Sequence, residues 1–364
     1  MIQVTKPFLP NSQKLERYLS GIHERGYLTN NGPLVRELTT RLEEYLNTTN
    51  LLLVCNGTIA LQVAYKALGI TPFENCQQKE VLTTPFTFIA TSSSISWEGY
   101  KVIFSDIDSQ TWCIDPNVLE DKITNTTQAI VPVHVFGNAC DVDRVEQISA
   151  KFGIKTIYDA CHAFGTKVKG KSVLDYGDAS TLSFHATKLF HTVEGGAIRF
   201  ASKDDLEHAQ SLINFGISNG TGDILNVGIN GKLSEVHAAY GLCILDEIDF
   251  ILEKKHEIFD RYFRRLSRSF QFQKISDSVS FNASYVPVVC ETERQAINIL
   301  QRLKQQGVVA RRYFYPSLTQ VECLDNATNC PKAEKIASRI ICLPSFVDLE
   351  LSKIDEIANI VVGL

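Results

Sequence analysis

Between residues 51 and 200, short apolar runs alternate with helix-spaced ones, and this alternation restricts the fold more than anything else in the chain. Leu51–Val54, Val81–Thr84, Lys101–Phe104, Ala129–Val133, Lys155–Tyr158, Ala179–Phe184 and Ala197–Phe200 have strand length and composition. Ile59–Leu68, the stretch after Phe88 to Trp97, Pro116–Ile123 and Val142–Phe152 read as helices between them. Such alternation predicts an α/β fold, a mainly parallel sheet with helices on both faces. Ligands of such sheets sit outside the carboxyl ends of the strands. Thr58, Phe88, His134, Asp159 and Lys188 all follow strand-like runs, so the pattern predicts that they meet on one rim.

The flanking regions read differently. Residues 1–33 are polar and irregular, ending in the turn cluster Leu28-Thr-Asn-Asn-Gly-Pro33. Leu34–Tyr45 is helical, with apolar side chains at 34, 35, 38, 42 and 45. Residues 214–232 hold five glycines and form a long polar loop, of the kind that serves function or an interface. Ser234–Leu245 is helical, and a long amphipathic helix carries Ile251, Ile258, Tyr262 and Leu266. Strand-like Ser284–Val289, the helix Glu293–Gln305 and Val308–Ala310 complete a smaller α+β unit. The expected division is a large domain over 1–245 and a small C-terminal domain over 246–364.

Composition removes several classes of function. A net charge of −5 leaves no basic excess to neutralise phosphates, so no nucleic-acid partner is expected. No apolar run approaches the ~20 residues of a membrane span, and no export signal is visible, so a cytoplasmic protein is expected. The ten cysteines are scattered without a Cys-x-x-Cys pair, which reads as reduced thiols without a metal site.

Four features on the rim call for one explanation. Asn56-Gly57-Thr58 joins a strand to a helix: either a plain turn capped by Thr58 or an anion site built from helix N–H groups and a hydroxyl. Phe88 follows Pro85 and is either core or a stacking surface. Asp159 ends a strand and is either a helix cap or a partner for a cation. Lys188, within Ser183-Phe-His-Ala-Thr-Lys188, is either a surface lysine or an amine nucleophile. Pyridoxal phosphate needs all four at once. Its phosphate suits Gly57, Thr58 and Ser183, its ring suits Phe88, its protonated ring nitrogen suits Asp159, and its aldehyde requires the amine of Lys188. His162 is either a core histidine or a partner of the phenolic oxygen, and Glu194 either a nearby acid or a surface turn residue. Cys161-His162 as a thiol pair is disfavoured, because neighbours on an extended chain face opposite sides. No metal is called for.

The segments Asn56-Gly-Thr-Ile-Ala-Leu61, Thr84-Pro-Phe-Thr-Phe-Ile-Ala-Thr91, Pro132-Val-His-Val-Phe-Gly137, Asp159-Ala-Cys-His-Ala-Phe-Gly165 and Ser183–Gly196 resemble the nucleotide-sugar aminotransferases of the DegT/DnrJ/EryC1/StrS family. The resemblance implies a fold-type I transferase dependent on pyridoxal phosphate. Its mainly parallel seven-stranded sheet would be sandwiched by helices. Lys188 would hold the cofactor and shuttle the proton, with a depressed pKa. Asp159 would pair with the ring nitrogen, and His162 would contact the phenolic oxygen. The stretch Gly228–Glu235 resembles one whose asparagine reaches the neighbouring subunit's cofactor, which implies Asn230 acting in trans across a homodimer. L-Glutamate and a nucleotide-linked ketosugar are the implied substrates. Loops 28–33 and 311–316 are expected to choose the sugar, with Thr29, Asn30, His134, Arg312, Tyr313 and Tyr315 as contacts. Two positions depart from the family pattern: His162 where glutamine is frequent, and Ala186 where proline is frequent. A dehydratase of the same fold would carry histidine in place of Lys188. A non-catalytic regulator would lack the lysine or the aspartate.

Overall fold

The structure is a computed structural model that describes all residues except Asn75, Asn219, 325–327 and Leu364. Seven strands form the central sheet: β1 (Leu51–Val54), β2 (Glu80–Thr83), β3 (Lys101–Phe104), β4 (Thr127–Val131), β5 (Lys155–Asp159), β6 (Ala179–Ser183) and β7 (Gly196–Phe200). Their order is β1-β7-β6-β5-β4-β2-β3. Strand β7 is antiparallel to both β1 and β6, and every other pairing is parallel. Strands such as β1 and β2 are buried along their whole length. This is why they read as continuous apolar runs rather than as alternating ones.

The reversal of β7 places its first residue, Gly196, on the same rim as the last residues of β1, β5 and β6. Gly196 faces Val54 on one side and Ser183 on the other. A Cβ at Gly196 would lie 2.6 Å from the Asn56 carbonyl carbon and 2.8 Å from the Leu182 oxygen. Only glycine lets the three backbones approach this closely.

Among the described residues, ten helices of nine residues or more flank the strands or follow them: α1 (Ser12–Arg25), α2 (Pro33–Leu46), α3 (Gly57–Ala67), α4 (Ile89–Trp97), α5 (Val142–Phe152), α6 (Lys203–Leu212), α7 (Glu235–Leu245), α8 (Ile248–Leu266), α9 (Glu293–Gln305) and α10 (Leu351–Val362), besides the shorter Pro331–Ala337. Helix α1 corrects the irregular reading of residues 1–33. Leu15, Tyr18, Leu19 and Ile22 lie at helical spacing and pack on the core. The Asn11 side chain accepts the Gln13 and Lys14 N–H groups, and left-handed Gly26 closes the other end. Charged residues between the apolar positions hide this stripe in a linear reading.

Helix α2 begins in an unusual way. The carboxylate of fully buried Glu235 accepts the N–H groups of Leu34 at 3.0 Å and Val35 at 2.9 Å. It therefore caps α2 from 200 residues away in sequence. The Glu235 N–H also donates to the Leu28 carbonyl.

A second core joins Ile258, Tyr262 and Leu266 of α8 to the antiparallel pair β8 (Val286–Val289) and β9 (Ile340–Leu343), with α9 and α10 packed against it. The first residues of the chain attach here: Ile2 bridges Val308, and the Ser345 N–H donates to the Val4 carbonyl. Gly196→Ala is expected to cost about 1–3 kcal/mol by overpacking. Urea denaturation should read this as a lower midpoint at unchanged slope.

Candidate active site

A cleft of about 660 Å³ opens on the rim where β1, β5 and β6 end and β7 begins. Its floor includes the start of α3. Asn56, not Thr58, is the cap: its Oδ1 accepts the Ile59 N–H at 2.8 Å. The amides of Gly57 and Thr58 belong to the first turn and have no acceptor within the helix, so they and the helix dipole serve the cleft. Ser183 at the end of β6 packs against this start, since a Cβ on Gly57 would lie 2.9 Å from the Ser183 Cβ. Gly57, Thr58 and Ser183 all line the cleft and together form an anion cradle.

Asp159 ends β5 with its side chain almost buried. Its Oδ2 accepts the Thr91 hydroxyl at 2.8 Å and its Oδ1 accepts the Cys161 N–H at 3.1 Å. Thr91 is in turn 3.0 Å from the Thr87 hydroxyl. A buried carboxylate with so few donors is prepared for a cationic partner. Cys161 and His162 both line the cleft, because a turn rather than extended chain follows Asp159. This corrects the expectation that they face opposite sides. Burial pushes the Cys161 thiol well above its ordinary range, so it is neutral. Burial, then the nearby Lys188 charge, holds His162 well below its usual value. His162 Nδ1 accepts the Phe136 N–H at 3.3 Å, which leaves the proton on Nε2. Phe314 stacks on the imidazole at 5.7 Å and 4°.

Lys188 sits in the loop between β6 and β7. This loop is closed by bonds from Phe184 N–H to the Gly195 carbonyl and from Ala186 N–H to the Val193 carbonyl. Its Nζ lies 3.5 Å from the Tyr285 hydroxyl. Burial pulls the ammonium down, but Tyr285, Cys161 and Asp159 outweigh burial and hold it above its ordinary value. The depressed pKa expected from its role is therefore absent: an acidic partner sits in the same buried space. Phe88 is 57% exposed at the start of α4, a cleft surface rather than core. Glu194 also lines the cleft, 3.8 Å from His185.

Other expected residues lie elsewhere. His134 is fully buried, stacked on Tyr158 at 4.9 Å, and its Nδ1 accepts the Cys140 N–H. It is a core residue, and burial lowers its pKa to about 3. Its place after a strand looked like a rim position, but the chain turns inward there. Arg312 pairs with Glu293 at 2.7 Å and stacks on Tyr315 at 3.3 Å, away from the cleft, while Arg311 and Tyr313 line it. Thr29 and Asn30 are exposed, and Asn30 lines a separate recess with Arg36 and Lys232. Asn230 is exposed and bridges Asn214, outside its own chain's cleft. Sequence reasoning missed Thr91, Tyr285 and Arg311. Thr91 carried a signal, because a helix starting after Phe88 turns it toward the sheet one turn later. Tyr285 carried none, since its approach to Lys188 depends on how the second core docks.

The cleft fits pyridoxal phosphate on its own chemistry: an anion cradle at a helix start, a buried carboxylate short of donors, a donor imidazole and a buried amine. Fold and site together define a pyridoxal-phosphate enzyme of the α/β class. Residues 11–362 match the DegT/DnrJ/EryC1/StrS aminotransferase family, and the chain belongs to that family. A dTDP-4-amino-4,6-dideoxy-D-glucose transaminase of Shigella dysenteriae is 39% identical, with 98% of this chain and 97% of the relative covered. An Escherichia coli transaminase of the same name is 34% identical over 100% and 98% of the two chains. Among solved structures, DesI in the presence of its TDP-sugar product superposes with a TM-score of 0.91 at 29% identity, covering 99% of this chain and 91% of that one.

Two outcomes follow from this geometry. Borohydride reduction of the purified protein should fix a pyridoxyl group on Lys188, and peptide mapping that finds it on another lysine, or on none, would remove Lys188 from its role. Thr91→Val takes away one donor to a buried carboxylate, worth about 1.5–3 kcal/mol. Cofactor titration followed by absorbance should show weaker retention, by roughly tenfold or more.

Proposed function

We propose that this aminotransferase moves an amino group from L-glutamate to C4 of a dTDP-linked 4-keto-6-deoxyhexose, giving a dTDP-4-amino-4,6-dideoxy sugar. The observation that carries the reading is a lysine, Lys188, in one cleft with Asp159 and the start of α3. The dehydratase alternative would place histidine there, and a regulator would not need the pair. The choice of sugar is supported by the end-to-end similarity to the two dTDP-sugar transaminases. GDP-perosamine synthase of Escherichia coli O157:H7, 30% identical over 96% of this chain, supports a GDP-linked sugar as the second reading.

Bound pyridoxal phosphate supplies an electron sink for carbon–hydrogen bond cleavage and carries the amino group between the substrates. The chain supplies the rest. Asp159, oriented by Thr91, keeps the proton on the ring nitrogen. His162 Nε2–H donates to the phenolic oxygen. Lys188, as the uncharged amine, would take the proton from the α-carbon of glutamate and deliver one at C4 of the sugar. The Gly57 and Thr58 amides with the Ser183 hydroxyl hold the phosphate.

The residue range 1–245 would act as the cofactor domain and 246–364 as the smaller domain. A homodimer is part of the reading. Phe215, Ile224, Leu225, Val227 and Ile229 are exposed along the 214–232 segment, an apolar surface of the kind that marks an interface. Asn230 lies within it and would reach the partner's cofactor phosphate. A cytoplasmic location and a product used in surface polysaccharide, such as O-antigen, complete the proposal. No helix among the described residues is long and apolar enough to cross a membrane.

The test is a panel of dTDP-, UDP- and GDP-linked 3- and 4-ketosugars with glutamate, read by product NMR. The dTDP-4-keto-6-deoxyhexose should give the highest kcat/KM, with the new amine at C4. Preference for a GDP sugar, or amination at C3, would overturn the substrate assignment.

A further inference from the structure

Helix α8 has a buried stripe of Ile248, Ile251, Ile258, Tyr262 and Leu266, and Lys255 stands within it. A lysine at a core position of an amphipathic helix is a marked departure, because burial of an ammonium is costly without a counter-charge. Lys255 is only 6% exposed. Its Nζ donates to the Ser345 carbonyl at 2.8 Å and to the Ser345 hydroxyl at 2.6 Å. Both acceptors are neutral, and no ion pair to Lys255 exists among the described residues. One of its three N–H donors is left over. Burial lowers its pKa to about 7, so an arriving anion would meet a group readily protonated.

Lys255 lines a small cavity next to the cofactor cleft, and Lys188, His162 and Tyr285 line both. The lining of this cavity contains no aspartate or glutamate. It contains three lysines, of which Lys6 is already paired with Asp348 at 2.7 Å. The cavity measures about 40 Å³. At roughly 10–15 Å³ for each water position, that is space for about three heavy atoms. A carboxylate group has that size, and a sugar or a nucleotide does not.

We propose that the cavity between Lys188 and Lys255 receives a carboxylate of the amino donor, with the Lys255 ammonium as its counter-charge and Ser345 fixing the ammonium in place. This rests on the reading that a dicarboxylic amino acid donates the amine. The donor's amine must reach the atom that Lys188 serves, and its carboxylate then fits the adjoining small cavity, while the sugar substrate stays in the larger cleft. The two substrates would share the reacting position but not their anchors.

Glutarate, a dicarboxylate without an amine, is the probe. Calorimetry on the wild-type holoenzyme should show glutarate binding, weakened at least tenfold in Lys255→Met. In the same variant KM for glutamate should rise by a similar factor, while KM for the nucleotide sugar and the cofactor absorbance stay unchanged. Equal glutarate affinity in the two proteins, or no binding to wild type, overturns the assignment. Should Lys255→Met not fold, crystals of the wild-type holoenzyme with glutarate decide the matter. A carboxylate within about 3 Å of Lys255 Nζ supports the site, and glutarate bound elsewhere removes it. Failure of glutamate to yield 2-oxoglutarate would instead count against the donor in the proposed reaction, separately from these binding results.

Discussion

The active site depends on a single reversal in the sheet. Strand β7 runs against β6 and β1, so the loop that carries Lys188 leaves and re-enters the sheet at one rim. Were β7 parallel, its first residue would sit at the far edge, and Lys188 would be carried across the sheet on a longer crossover. Gly196, the first residue of the reversed strand, lets the backbone of residue 56 come close. That contact in turn sets the start of α3 beside Ser183. Amine, anion cradle and carboxylate are thus placed by one backbone packing arrangement, ahead of any side-chain contact.

Much of this was legible in the chain. Strands buried on both faces are written as apolar runs, and those runs gave the order of elements and four of the cleft residues: Thr58, Phe88, Asp159 and Lys188. His134 shows the limit of the same logic. A position just after a strand is necessary for the rim but not sufficient: the His134 side chain turns inward and lies against Tyr158. Arg311 and Arg312 show another limit. Adjacent residues with the same charge cannot be told apart by type, and the Glu293 carboxylate on α9 takes Arg312. Tyr285 was out of reach because its meeting with Lys188 joins positions 97 residues apart in sequence. Helix α1 was missed because its apolar stripe is narrow and interrupted by charge.

The electrostatics of the cleft are uneven. Burial keeps its histidine and thiol neutral, whereas Lys188 is held above its ordinary value against the pull of burial. Desolvation by itself would have predicted the opposite for the lysine. The outcome follows first from Tyr285, whose hydroxyl lies 3.5 Å from Nζ, with Cys161 and Asp159 acting in the same direction.

Glu235 has a consequence for how such chains diverge. By capping α2 with a fully buried carboxylate, it makes the loop over 28–33 and the stretch over 228–235 one unit. A homologous loop grafted at 28–33 alone must still bring the Leu34 and Val35 amides to that carboxylate and a carbonyl at 28 to the Glu235 N–H, or leave buried groups unpaired. The loop expected to help choose the sugar and the segment expected to reach the neighbouring subunit therefore have to be exchanged together, which ties changes of specificity to changes in assembly.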